Sequence, residues 1–196
     1  MKKLLSLLLV LVLVFTFAGC GERINNKDGV DIEYYLSVGE IQGAQFRLGT
    51  KTEDIENAKL QHIESATGEG NHEHDHENAI TLVEGVVSRH YVYGAYHYYY
   101  NKGKQTQGIS FIAAFDTAFG FTVGTTTKTE VINALGKLKY TEGKAGDRDL
   151  FFTMFSPTNC EKVVLTKDNK ELTFYFGDGV LMFVTICNTD LWSLDG

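Results

Sequence analysis

Three histidines, His72, His74 and His76, stand on alternate positions in the stretch NHEHDHEN, interleaved with Glu73, Asp75 and Glu77. Neutral imidazole nitrogen is a good ligand for Zn²⁺, Cu²⁺ or Ni²⁺, and a neighbouring carboxylate supplies an oxygen donor. In an extended chain alternate side chains share a face, so the three rings would point the same way. The expectation is a loosely held metal ion, zinc for example, rather than a resident cofactor. Catalytic metal sites hold their ligands on rigid elements with supporting hydrogen bonds, whereas Gly68-Glu69-Gly70 leads into this stretch. Two other readings stay open. The imidazoles would gain charge near about pH 6.5 among the carboxylates, or the segment is a solvated acidic loop that binds nothing.

A second candidate surface is tyrosine. The stretch YVYGAYHYYY, residues 91–100, holds six of the ten tyrosines. Strand alternation puts Tyr96, Tyr98 and Tyr100 on one face, and His97 and Tyr99 on the other. If one face of a sheet takes the helices, the opposite one is left rich in aromatic rings. Tyr91, Tyr93, Tyr96, Tyr98 and Tyr100 are therefore the candidate protein-binding residues, since tyrosine offers large contact area at small entropic cost. The alternatives are packing of these rings within the core, and stacking on a cell-wall polymer.

Catalytic chemistry is thin. Ser110 and Ser156 lack the glycine-flanked turn that exposes a nucleophilic serine. Asp147-Arg148-Asp149 reads as a solvated turn with an internal ion pair. Cys160 has no placed histidine to activate it. No glycine-rich phosphate loop sits at a strand–helix junction. The expectation is a protein that is not an enzyme.

The start of the chain decides its compartment. Met1-Lys2-Lys3 precedes an apolar run from Leu4 to Phe17, broken only by Ser6 and Thr16. A basic start, a short apolar run and small residues after it read as a secretory signal. The run is shorter than the roughly 20 residues a spanning helix needs. Ala18-Gly19-Cys20 closes it, and this ending resembles the lipobox of bacterial lipoproteins, with Phe17 where leucine is usual. The resemblance implies cleavage before Cys20, lipidation of Cys20 and an extracytoplasmic, membrane-anchored mature chain. The formal charge of −7 argues against nucleic acid as a partner. Beyond Cys20 there are two further cysteines, Cys160 and Cys187. They could pair outside the cytoplasm, although the expected strand order puts them at opposite ends of a meander.

The elements that would position these residues repeat. FRLGTKTEDIENA, from Phe46, and FTVGTTTKTEVINA, from Phe121, share Phe, an aliphatic, Gly-Thr, Lys-Thr-Glu, an aliphatic and Asn-Ala, about 75 residues apart. Gly49 and Gly124 each end an extended segment. Thr50 with Glu53, and Thr127 with Glu130, have capping-box spacing. Ile55, Ala58 and Ile63 then continue one helix; Val131, Ala134 and Leu135 make the other, stopped by Gly136. Downstream, residues 96–112 resemble residues 172–184: an aromatic strand, a glycine turn, an aliphatic strand. Gly177-Asp178-Gly179 marks a tight hairpin. Strands are expected near 80–87, 89–93, 95–101 and 108–115, and again at Leu150 to Phe155, Lys162 to Thr166 and residues 172–184.

Two copies of a helix followed by a four-stranded meander resemble the beta-lactamase inhibitory protein-like fold. The helix start also resembles that of the outer-membrane assembly lipoproteins. The resemblance implies an α+β protein whose sheet carries helices on one face and binds another protein across its surface. It transfers no inhibitory contact. The expected organisation is a signal peptide (1–19), a lipid-anchored tether (20–30), a first unit (31–115) and a second unit (116–196). The histidine stretch would lie in the loop joining helix to meander in the first unit only, because the matching segment, YTEGKAGDRD, has no histidine. The function expected is non-catalytic protein binding at a membrane surface, with metal binding by the histidine loop as the alternative.

Overall fold

Leu172, Phe174 and Phe176 alternate with Glu171, Thr173 and Tyr175, and Val163 and Leu165 flank Val164. Period-two patterning of this kind forces two-sided strands. The computed structural model describes residues 29–59, 64–67, 87–101, 105–146 and 160–192. The leader, Cys20, His72, His74, His76, Ser156, Asp147-Arg148-Asp149 and the strand expected at Leu150 to Phe155 lie outside the described residues.

The fold is α+β. Its strands are β1 (Glu64–Thr67), β2 (Val87–Tyr93), β3 (Tyr96–Asn101), β4 (Phe111–Ala114), β5 (Thr117–Ala118), β6 (Phe121–Thr122), β7 (Thr141–Lys144), β8 (Cys160–Lys167), β9 (Lys170–Gly177) and β10 (Val180–Asn188). Eight form one antiparallel sheet in the order β1-β2-β3-β4-β10-β9-β8-β7, while β5 and β6 make a separate hairpin. Asp178 and Gly179 both have positive φ, 50° and 81°, in the turn between β9 and β10. That is the backbone a two-residue hairpin requires, and Asp-Gly adopts it readily. At the middle of the sheet β4 and β10 pair so that Ile112 faces Ile186, Ala113 faces Thr185 and Ala114 faces Val184.

Among the described residues three α-helices cover one side of this sheet. Helix α1 (Ile32–Val38) begins at Asp31, whose carboxylate accepts the Tyr34 N–H at 2.9 Å, and it buries Ile32 and Leu36 one turn apart. No helix was expected here. It packs on β8 and β9, and Glu33 meets Lys167 at 2.8 Å. Residues at the head of the expected first unit thus lie over the strands of the second.

Helix α2 (Thr52–Asn57) buries Ile55, and helix α3 (Lys128–Leu135) buries Val131 and Leu135. The α3 capping box is as its spacing predicts. Thr127 Oγ1 accepts the Glu130 N–H at 3.3 Å, and the Glu130 carboxylate accepts the Thr127 N–H at 2.8 Å. In α2 the expected box of Thr50 and Glu53 is displaced by one residue. The N-cap is Lys51, whose N–H reaches the Asp54 carboxylate at 3.3 Å.

Helix α2 also stops early. It was expected to run on to Ile63, but it ends at Asn57, and Lys59 turns left-handed at φ 47°. Glu64–Thr67 then pairs with β2, with Ser65 opposite Tyr91. Strand pairing with a neighbour outweighs a few residues of helical pattern here. Consequently a strand that precedes the histidine stretch lies beside β2; the strand expected near 80–87 lies, but for its last residue, outside the described residues. His72, His74 and His76 follow β1 in the sequence and lie outside the described residues. The second half has the same correction: Thr141–Lys144, read as connecting loop, is strand β7 and pairs with β8.

The two turns into the helices dock alike on the sheet, with one more residue between glycine and acceptor threonine in the second. Gly49 N–H donates to Ile109 C=O at 2.8 Å, and Ile109 N–H to Thr50 C=O at 2.9 Å. Gly124 N–H donates to Leu181 C=O, and Leu181 N–H to Thr126 C=O, both at 2.8 Å. Phe46 meets Tyr98 edge-on at 5.4 Å, and Phe121 meets Phe174 edge-on at 5.8 Å. Lys128 bridges Glu142 on β7 (2.8 Å) and Glu161 on β8 (2.9 Å), fixing the start of α3 to that edge. No disulfide joins Cys160 to Cys187. Cys160 pairs across from Gly177 and Cys187 from Glu171, toward opposite ends of β9.

Candidate functional site

Strand alternation sorts the tyrosine-rich stretch by face, and the helices decide what each face does. Tyr91, Tyr98 and Tyr100 turn beneath the helices and are buried in the main core. Their hydroxyls are tied there as well. Tyr98 accepts the Gln45 N–H at 3.1 Å, Tyr100 donates to Thr50 C=O at 2.9 Å, and Tyr91 donates to the Glu56 carboxylate at 3.5 Å. Tyr96 places its hydroxyl 3.2 Å from Gln42 C=O and 3.1 Å from Thr117 C=O, and Tyr93 packs at the rim of the same core. Of the five tyrosines expected to line an open binding face, Tyr91, Tyr98 and Tyr100 are instead buried beneath the helices, while Tyr93 and Tyr96 stay partly exposed at the rim of that core. Burial pushes the Tyr98 phenol up to about 12, and burial with nearby Asp116 raises that of Tyr96.

The other side of the sheet carries a different set of rings. Ala113, Thr185 and Thr173 form a central row of small side chains across β4, β10 and β9. On one flank Phe111 packs between Tyr99, at 5.6 Å, and Trp192, at 4.6 Å. On the other flank Phe183 packs between Phe115, at 5.8 Å, and Tyr175, at 4.5 Å. Among the described residues no helix contributes to this cluster; Met182, Cys187 and Trp192 sit at its margin, partly exposed.

At the β2–β3 end of this side three polar rings meet. His90 Nε2 lies 3.1 Å from His97 Nδ1, and His97 Nδ1 lies 3.3 Å from the Tyr99 hydroxyl. The His90 ring stacks on Tyr99 with centroids 4.4 Å apart and planes 3° from parallel. His97 turns its ring edge-on to Phe115 at 4.8 Å. Burial drives the Tyr99 phenol well above its ordinary value, so the hydroxyl keeps its proton. One proton between His90 and His97 satisfies both facing nitrogens; a proton on each would set two N–H groups against one another. Nearby Ser110 donates to Tyr99 C=O at 3.1 Å and accepts the Asn101 N–H at 3.0 Å. Its hydroxyl is a backbone clasp, in keeping with the lack of a nucleophile motif around it.

No family model matches this chain, and none of the curated proteins or solved structures does.

Sequence reasoning set His97 and Tyr99 on a common face but singled out neither, and it passed over His90. The signal was present. Residues equidistant from the Gly94-Ala95 turn pair across the hairpin, so His90 falls opposite Tyr99 and diagonal to His97. Among the described residues no three of His, Cys, Asp and Glu gather in one place. Nor, among them, is any helix long and apolar enough to cross a membrane.

Proposed function

We propose that this chain is an extracytoplasmic lipoprotein, anchored through Cys20, that binds a protein partner at the sheet side opposite its described helices and performs no catalysis. The observation that carries the reading is the sidedness of the sheet among the described residues: their helices share one side, while on the other a buried aromatic cluster carries Met182 and Trp192, partly exposed, at its margin. Rings with partly exposed neighbours such as Trp192 and Met182 are the chemistry that anchors protein–protein contacts.

We infer further that the chain is a tandem of two helix-plus-meander units resembling the beta-lactamase inhibitory protein-like fold, with a helix start like that of the outer-membrane assembly lipoproteins. The register supports this. Aligning Tyr98 with Phe174 and Ile112 with Val184 matches one hairpin to the other, since Tyr98 pairs with Ile112 and Phe174 with Val184. Exchanging the two segments also maps the central pairing onto itself, because Ile112 faces Ile186 as Val184 faces Ala114. The matching docking of Gly49 and Gly124 points the same way.

A photo-crosslinking residue placed at Met182 or Trp192 should capture a protein on the cell that one at Tyr34, exposed on α1, does not. Crosslinks from Tyr34 alone would overturn the assignment of the face. Metabolic labelling with an alkyne fatty acid tests the anchor separately: Cys20→Ser should abolish the label and release the chain from membranes.

A further inference from the structure

The register that aligns the two halves also shows where they differ. His90, opposite Tyr99, corresponds to Lys162, opposite Tyr175; His97, opposite Ala113, corresponds to Thr173, opposite Thr185. The tyrosine is common to both halves, but the two imidazoles belong to the first alone. Scaffold does not explain them, since the second half builds the same hairpin without either.

We propose that His90 and His97 form a two-imidazole site for a late first-row divalent cation of the copper(II) class, with the Tyr99 hydroxyl beside it. Two nitrogens bound to one metal at about 2.0–2.1 Å, at angles between square and tetrahedral, stand roughly 2.9–3.4 Å apart. His90 Nε2 and His97 Nδ1 are 3.1 Å apart. The ion takes the place of the proton they share, and that proton passes by way of solvent to the outer nitrogen of the same ring, so both imidazoles bind as neutral ligands. Both rings are held before the ion arrives, His90 by stacking on Tyr99 and His97 by its edge contact with Phe115. Imidazole pairs favour copper over zinc and nickel at equal geometry. The remaining positions fall to the Tyr99 hydroxyl, 3.3 Å from His97 Nδ1, and to water. Because an imidazole protonated on both nitrogens cannot ligate, occupancy falls as pH is lowered. This site stands apart from the partner-binding reading and from the histidine stretch at 72–76.

The chain has six histidines, so the test isolates the pair. In the full chain, kept in detergent, His62, His72, His74 and His76 are all replaced by Asn, leaving His90 and His97. With CuSO₄ this variant should bind one equivalent, and its electron paramagnetic resonance spectrum should carry coupling to two imidazole nitrogens. Adding His90→Asn or His97→Asn should weaken binding at least about tenfold, with circular dichroism confirming that each variant folds. In the unaltered chain saturating CuSO₄ should quench the sole tryptophan, Trp192, whose ring lies 6.3 Å from that of Tyr99. Absence of nitrogen coupling in the folded four-Asn variant overturns the site, as does undiminished affinity after either added substitution. Should the four-Asn variant not fold, failure of the unaltered chain's tryptophan to quench overturns it.

Discussion

The first four strands and the last four of the large sheet pair in the same way and are finished differently. Gly49 and Gly124 dock by similar pairs of backbone hydrogen bonds. Lys51 and Thr127, the two N-caps, even share a backbone conformation, φ −82° and ψ 156° against φ −85° and ψ 156°. Yet Thr127 closes a full capping box over an eight-residue helix, while Lys51 has no side-chain cap over a six-residue one. Beneath the helices Tyr98 stands where the other half has Phe174, adding a hydroxyl that holds the Gln45 N–H. On the far side the imidazole pair replaces Lys162 and Thr173. The lesson is that backbone pairing and ring packing are shared, while caps and polar atoms are where each half departs.

The largest effect should come from the shared packing. Tyr98→Ala and Phe174→Ala each empty a fully buried ring site. Each should cost about 3–5 kcal/mol in urea unfolding. A much smaller loss in one half would show that its ring is not the structural counterpart of the other.

Glycine comes next. Gly108 stands before Ile109 where Val180 stands before Leu181, and it has φ 91° with the Gly49 backbone against it. A Cβ at position 108 would collide with that backbone. Gly124, at φ 80°, has open space around it. Gly108→Ala should therefore cost about 2–3 kcal/mol, and Gly124→Ala about 1 kcal/mol. Equal costs, measured as shifts in the urea midpoint, would mean that the first turn relaxes away from β4.

The caps give a reciprocal pair. Thr127→Ala should cost about 1 kcal/mol, and Lys51→Thr should add about 0.5 kcal/mol by creating in α2 the side-chain bond that α3 already has. Thermal denaturation checks both, and a destabilising Lys51→Thr would break the equivalence of the two helix starts.

The smallest effect is alkaline. The Tyr98 phenol is held up to about 12 by burial. A raised value means the folded state favours the neutral ring. That contribution is complete below about pH 10, where an unfolded tyrosine begins to ionise, and is lost as pH rises toward the folded value. Tyr98→Phe should flatten the fall in stability across this range, whereas Phe174→Tyr should steepen it.

Much of this was legible in the residues. The Thr127–Glu130 box, the Asp178-Gly179 hairpin and the strands at 89–93, 95–101 and 162–166 follow from local rules, because a cap or a tight turn is satisfied within a few residues. Helix α1 was not legible. Asp31 is a fair N-cap, but the stripe of Ile32 and Leu36 is only two residues long. Its stability comes from lying on β8 and β9, far along the chain. Strand β1 escaped notice for the same reason. Glu64-Ser65-Ala66-Thr67 has no apolar alternation of its own and becomes a strand because β2 offers it an edge.

Sequence alone determined that the chain alternates polar and apolar faces in strands, caps α3, and repeats its helix start, since each of those is written in neighbouring residues. Only the tertiary structure decided which face of the tyrosine-rich hairpin would be core. Alternation divides side chains into two sets but does not say which set the helices will cover. That choice buried Tyr91, Tyr98 and Tyr100 and left His90, His97 and Tyr99 together on the opposite side.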